Sequence, residues 1–400
     1  MRLGNSRLLT MGEAARLALR SPRCFANTVR DRVSGIGSLD FPRRIVLHLA
    51  NRCDFACPMC SIGQARAERQ KEFRGDVPFG VVEKIVREAA PHGCYVELLG
   101  GEPLLYQKLG DTIRLLSENH LLSYITTDGF KLKKKAADLV DAGLKVLMIS
   151  LDGWDEESQY HRGLVRGSFN AIVDGVAEVR KLRRRRAFPI IRVTTVPTKA
   201  NYHSLDKIAE AVYEMGVRRW VVSNYFFMTD AAMAAHQKFK LETGIGDQLM
   251  QHHIPGIDSY FNREEVAVLK QSLGRLREKL AGPLRDMRVD CDWNLDLDKY
   301  YSPRPPGPTS SCNLPFDRVD IHTDGRIAVC GDGHTIGNVN SGTITEAWSG
   351  EKYRRFRGVL NKHKIMPMCF RCCGIMGNLR FDDSVALKPE LVNIAVTLRG

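Results

Sequence analysis

Ile45-Val46-Leu47-His48-Leu49-Ala50-Asn51-Arg52-Cys53-Asp54-Phe55-Ala56-Cys57-Pro58-Met59-Cys60 decides how the chain is read. The first half is a β-rich apolar run; the second sets three cysteines in a C-x3-C-x2-C spacing. Three thiolates satisfy three irons of a cubane iron–sulfur cluster and leave the fourth iron open to a substrate or cofactor. A structural zinc site normally wants a fourth protein ligand nearby, and this stretch offers none. Cysteines that directly follow a strand sit at the mouth of an α/β fold, where such folds keep their chemistry.

Outward from this stretch the same rhythm continues. Apolar runs at 45–49, 95–99, 123–127, 146–151, 190–196 and 220–223 alternate with helical patterns at 81–90, 109–119, 131–142, 169–183 and 205–215. Gly143 and Gly216 close two of these helices, as a left-handed C-cap requires. Near-continuous apolar strands separated by helices predict a parallel sheet. Six such units over residues 44–224 predict a partial (β/α)6, TIM-like barrel within an α/β fold. Residues 1–43 form a helical prologue. Its segment 6–20 carries a basic amphipathic stripe, which packs on its own domain or lies on a membrane surface as a peripheral contact. Residues 225–308 read as a helical connection, with its best helix at 263–280, ending in a proline-rich linker. Residues 309–378 read as a small cysteine-rich α+β domain. Its hairpin joins strands 319–321 and 327–329 through Thr323-Asp324-Gly325. A tail follows at 379–400.

The chain has 400 residues, 44% of them hydrophobic, with a formal net charge of +13. That is enough apolar material for a sizeable core. No apolar run is long enough for a membrane span and no signal-peptide pattern opens the chain, so a cytoplasmic protein is expected. The basic excess favours anionic partners, but the runs at 131–135 and 183–186 read as solvated helix ends. No nucleic-acid module interleaves aromatic residues with the charge. Eleven cysteines at tight local spacings, in a chain read as intracellular, point to metal ligands rather than disulfides.

A second cysteine set comprises Cys312, Cys330 at the end of Gly325-Arg-Ile-Ala-Val-Cys330, and Cys369-Phe-Arg-Cys372 with the adjacent Cys373. Four thiolates so arranged close around zinc or around a cubane. Cys373 competes with Cys372 for one of the places. Cys24 and Cys94 read as buried small hydrophobes. Cys291, flanked by acidic residues, is either structural or a hydrogen-atom donor.

The first cysteine spacing, directly after the first strand, resembles the hallmark of the radical S-adenosylmethionine (SAM) superfamily. The resemblance implies that Cys53, Cys57 and Cys60 hold a [4Fe–4S] cluster that cleaves SAM to a 5′-deoxyadenosyl radical. Gly100-Gly101-Glu102-Pro103, after the second strand, matches the family's GGEP motif, which binds the SAM amino group. Paired glycines allow close backbone approach, and a carboxylate suits an ammonium. Ser150-Leu-Asp152-Gly153 is similar to the family's S-x-D segment, whose serine contacts SAM. Arg162 in Tyr160-His161-Arg162-Gly163 resembles the basic residue that pairs with the SAM carboxylate. Thr126-Thr127-Asp128-Gly129 departs from the usual T-N-G, and Met59 replaces the aromatic residue often found before the third cysteine. The second set resembles the auxiliary-cluster domains called SPASM and twitch. A full SPASM pattern has seven cysteines, and none follows Cys373 here. The shortened version fits, with Cys312, Cys330, Cys369 and Cys372 holding a second [4Fe–4S] cluster that transfers electrons.

The resemblance implies reduction by a flavodoxin- or ferredoxin-type partner, then hydrogen abstraction from a substrate C–H bond. Oxidation of a small sugar or cyclitol-like substrate needs a base, for which His161, His322 and His334 are candidates. Epimerisation needs a thiol donor such as Cys291. A peptide maturase working with a separate recognition partner is the alternative, because the residues before the barrel are too few for a recognition domain. A non-catalytic iron–sulfur or zinc protein is a further alternative. RNA modification rests on the basic charge alone.

Overall fold

The structure is a computed structural model that describes residues 19, 21–24, 26–27, 39–60, 75–184, 186–245, 256–303, 312, 314–330 and 334–372. The amphipathic stripe at 6–20 (Leu19 apart), Cys373 and the tail at 379–400 lie outside the described residues.

Six parallel strands form the body of the sheet: β1 Arg44–His48, β2 Tyr95–Leu99, β3 Leu122–Thr127, β4 Val146–Ser150, β5 Ile190–Thr195 and β6 Arg219–Val222. Helices α1 Phe79–Ala89, α2 Leu109–Glu118, α3 Leu132–Asp141, α4 Glu156–Gly163, α5 Ser168–Arg183 and α6 Leu205–Glu214 lie between successive strands. One row of strand side chains, including Ile45, Leu47, Val96, Leu98, Ile125, Leu147 and Val193, is buried in one cluster with Val82, Ile113, Leu139 and Ile172 of the helices. Alternate residues face the other way, because successive strand side chains point to opposite faces. Tyr124, Met148 and Val221 form a separate small cluster there, on the concave, lumen side. This is the partial TIM-like barrel expected from the strand–helix alternation.

The sheet extends beyond the six expected strands at both edges. β7 Arg288–Asp290 pairs in parallel with β6, inside the stretch read as helical connection. It is three residues long with charged ends, so it leaves no apolar run in the sequence. Among the described residues of that stretch lie the helices α7 Asp230–Thr243, α8 Arg263–Ala281 and α9 Leu297–Tyr300. At the other edge, β8 Arg318–Ile321 pairs in parallel with β1, β9 Arg326–Val329 returns antiparallel, and β10 His334–Asn338 follows. The expected hairpin therefore joins the barrel sheet, giving ten strands in the order β10-β9-β8-β1-β2-β3-β4-β5-β6-β7. Helices α10 Ile344–Ser349 and α11 Glu351–His363 lead to the 3-10 turn Pro367–Arg371.

Arg371 secures that turn to the barrel. Its guanidinium donates to the carbonyls of Tyr300 at 2.8 Å and Ser302 at 2.6 Å and stacks 4.1 Å from the Phe227 ring centre. Cys24 and Cys94 are fully buried; Cys24 Sγ donates to the Cys94 carbonyl and Cys94 Sγ to that of Pro42. Among the described residues no helix is long and apolar enough to cross a membrane.

Candidate active site

The loop carrying Cys53, Cys57 and Cys60 leaves β1 at the C-terminal rim of the barrel. Two glycine contacts clamp it. On one side Gly101 N–H donates to the Ala50 carbonyl at 2.6 Å and Glu102 N–H to that of Arg52 at 2.7 Å. A Cβ on Gly100 would stand 2.3 Å from Ala50 O, and one on Gly101 would stand 2.1 Å from Arg52 O. The paired glycines thus serve the approach of this segment to the cysteine loop. On the other side Ala56 N–H donates to the Gly163 carbonyl at 3.2 Å, and a Cβ on Gly163 would meet the Phe55 ring at 2.2 Å. The glycine after Arg162 is therefore a packing requirement that the sequence reading passed over.

Glu102 is buried and already occupied. Its carboxylate accepts from Leu104 N–H at 2.9 Å, Thr127 Oγ1 at 2.6 Å and Asp128 N–H at 2.8 Å. Burial and the neighbouring Asp128 raise its pKa. Most of its acceptor capacity is spent joining the Gly100–Pro103 turn to the end of β3. Asp128 is different: Oδ1 accepts from Phe130 N–H at 2.9 Å, while Oδ2 is buried without a partner. Across the site Arg162 forms a buried ion pair with Asp152, and its Nε has no partner. Burial lowers the Arg162 pKa, but Asp152 and Cys57 outweigh it and hold it above its ordinary value. Asp152 also accepts from Val196 N–H at 2.8 Å, and Asn201 Nδ2 donates to the carbonyls of Asp152 at 2.9 Å and Val196 at 3.0 Å. Asn201 is a positioning residue that no sequence motif marked. Ser150 is buried at the end of β4.

The cysteines suit a thiolate-held cluster. Burial pushes the thiol of Cys53 up to about 12 and that of Cys57 up to about 11, with Arg162 opposing at Cys57. Binding to cluster iron would displace the proton from each of these thiols. Phe55 N–H points at Cys53 Sγ at 3.4 Å, the kind of donor that tunes cluster sulfurs. In the C-terminal set Cys330 is raised by burial and then by Cys369, Cys312 and Cys372, so the four thiols lie within electrostatic reach of one another. Among the described residues no group of three or more His, Cys, Asp or Glu side chains is already gathered as a single-ion site.

The family model described as the radical SAM superfamily matches residues 47–212, and that of an iron–sulfur cluster-binding domain, SPASM, matches residues 312–373. The chain belongs to the radical SAM superfamily. Its fold is shared by Streptococcus suis SuiB bound to S-adenosylmethionine, with a TM-score of 0.57 and 18% identity over 83% of this chain and 71% of that one. SuiB bound to its precursor peptide SuiA gives 0.57 and 17% over 84% and 70%. Native anSMEcpe with bound AdoMet gives 0.57 and 14% over 88% and 99%. A radical SAM enzyme with a SPASM domain works with SAM, a [4Fe–4S] cluster and auxiliary iron–sulfur chemistry. The donor sets fit these groups. Two orphaned polar atoms, the Arg162 guanidinium Nε and the Asp128 carboxylate Oδ2, match the carboxylate and ammonium of a bound amino acid moiety.

The lumen of this radical SAM enzyme holds polar residues that the sequence reading counted within apolar runs. His48, at the end of β1, stacks on His322, just past β8, with ring centres 4.6 Å apart. His48 Nε2 lies 3.8 Å from Asp320 Oδ1. Asp320 is buried and accepts from Arg318 Nη2 at 2.6 Å and Nε at 3.1 Å. Of the three histidines named as bases, only His322 belongs to this group. His161 is exposed on α4, and His334 is buried against Phe356 with ring centres 5.1 Å apart. Cys291 follows β7 and packs against the main core, and burial pushes its thiol up to about 12.

Proposed function

We propose that this radical SAM enzyme oxidises a carbon bearing a hydroxyl group, in a small sugar- or cyclitol-like substrate held in the barrel lumen. Cys53, Cys57 and Cys60 would hold the SAM cluster, and Cys312, Cys330, Cys369 and Cys372 one auxiliary [4Fe–4S] cluster. When bound, these groups supply a hydrogen-abstracting radical at the rim and an electron acceptor at the second set. Arg162 and Asp128 would grip the carboxylate and ammonium of SAM, with Gly100, Gly101, Glu102, Pro103, Ser150 and Asp152 shaping the pocket. Glu102 acts mainly by holding Asp128 in place, since its own oxygens are engaged. A flavodoxin- or ferredoxin-type protein would be the reductant. Barrel and auxiliary domain would divide near residues 44–224 and 309–378.

The observation that carries the oxidation reading is the His48–His322 pair backed by Asp320. Losing one hydrogen atom from H–C–O–H leaves a carbon radical whose conversion to a ketone releases one proton and one electron. His48 takes that proton, and the nearby Asp320 carboxylate stabilises the cation that results. An epimerase needs instead a thiol facing the substrate, and Cys291 packs against the core. Peptide modification is the second reading, favoured by the fold shared with SuiB in its complex with precursor peptide SuiA.

The test incubates reconstituted enzyme, SAM and dithionite with a panel of aldoses, cyclitols and their phosphates, and separately with a peptide library. Oxidation predicts a ketone, trapped by a hydrazine, from a panel sugar or cyclitol. In His48→Gln the ratio of ketone to 5′-deoxyadenosine should fall about 10²-fold. In D2O, a product isomeric with the substrate except for one solvent deuterium at a single carbon would mean epimerisation. Stimulation by peptides alone would favour the second reading.

A further inference from the structure

Arg192 lies in the middle of β5, where its register partner on β4 is Met148. Thr194, two residues on, pairs with Val221 of β6. Met148 and Val221 belong to the lumen cluster, so alternation puts Arg192 on the lumen face from both neighbours. It is 5% exposed. Its Nε is fully buried and makes no hydrogen bond, and among the described residues no carboxylate forms an ion pair with it. Burial lowers its pKa; Tyr124, then Asp290 and Glu97, act electrostatically against that, and Arg219 adds to it. The same face continues with Arg219 and Arg288, which are register partners of each other on β6 and β7.

A buried guanidinium without a paired anion is costly. The fold has carboxylates to spend: Asp152 is committed to Arg162 and Asp320 to Arg318. None is committed to Arg192. Ser150 and Thr194 are partners at the rim, and Arg192 stands two residues below them, about 6.6 Å down the strand.

We propose that Arg192 anchors an oxyanion of the substrate, a carboxylate or a phosphate, in the lumen one side-chain layer beneath the SAM pocket. The inference rests on the reading that the substrate occupies the lumen, and it narrows the substrate class to acids or phosphate esters. A planar fork of donors at that depth fixes both the position and the rotation of the anionic end. The carbon to be attacked is thereby held at a set height under the radical source.

The experiment follows thermal unfolding of the reconstituted holoenzyme with SAM, titrated with sodium phosphate or sodium acetate at constant ionic strength. Wild type, Arg192→Met and Arg192→Lys are compared. The proposal predicts that one or both anions raise the wild-type midpoint by about 2 °C or more. Phosphate acting alone identifies a phosphate ester, and acetate acting alone a carboxylic acid. Arg192→Met should melt above wild type without anion and show no anion response. Arg192→Lys should respond only at about tenfold higher anion concentration, having lost the fork. Anion shifts equal in all three proteins, or no shift in wild type, would overturn the proposal. So would an Arg192→Met midpoint below wild type, which would show that Arg192 supports the fold. 5′-Deoxyadenosine formation by the wild type, measured in the same preparation, reports separately on the radical SAM reading.

Discussion

Asp320 shows how a single side chain ties sheet to chemistry. Burial alone would raise its pKa, but Arg318 and His48 outweigh this and hold it well below the usual carboxylate range. A depressed folded pKa contributes stability that is fully present above the unfolded value of about 3.9 and is lost as pH falls through the folded one. Asp320→Asn should therefore cost about 3 kcal/mol at pH 7, because Arg318 is left without its partner. The difference should shrink steadily below about pH 4, as urea unfolding across pH would show. His48 and Asp320 were not legible as a pair, since β1 and β8 are joined only by sheet register. Their alternation was legible. In Arg318-Val-Asp320-Ile-His322 and Tyr95-Val-Glu97-Leu the polar positions recur every second residue, which marks a strand with one polar face. Counting these stretches as apolar runs hid the lumen. The cysteines and the Gly100–Pro103 turn were readable because their chemistry is local; the saturation of Glu102 was not, because two of its donors arrive from β3.

At the scale of elements, glycines clamp the cysteine loop between the turn after β2 and the end of α4. The obstruction to a Gly101 Cβ is the Arg52 backbone, which cannot swing aside as a side chain would. Gly101→Ala should thus abolish 5′-deoxyadenosine formation while leaving the iron of the C-terminal set in place, as iron counting would show. α4 itself escaped the sequence reading. Its segment Glu-Glu-Ser-Gln-Tyr-His-Arg-Gly has no apolar stripe, and a capping box at Asp155 and Ser158 fixes its start. β7 escaped for a similar reason, being too short and too charged to show a strand pattern. The five longer barrel helices and six strands were legible because each carries a buried apolar face.

Across the whole molecule, β8 adds the C-terminal hairpin directly to β1, so the strand feeding the first cysteine loop borders the hairpin of the segment that carries the second cysteine set. Arg371, between Cys369 and Cys372, closes the arrangement by gripping Tyr300 and Ser302. Arg371→Met should loosen the second set and lower its iron occupancy while SAM cleavage persists; paired iron and 5′-deoxyadenosine assays check this. The most direct test of the account counts iron and sulfide in anaerobically reconstituted protein and measures 5′-deoxyadenosine with SAM and dithionite. The same assays are run with Cys53, Cys57 and Cys60 replaced by Ala. The account predicts about eight irons falling to about four, with SAM cleavage abolished. A folded wild type that holds no iron and forms no 5′-deoxyadenosine would contradict it.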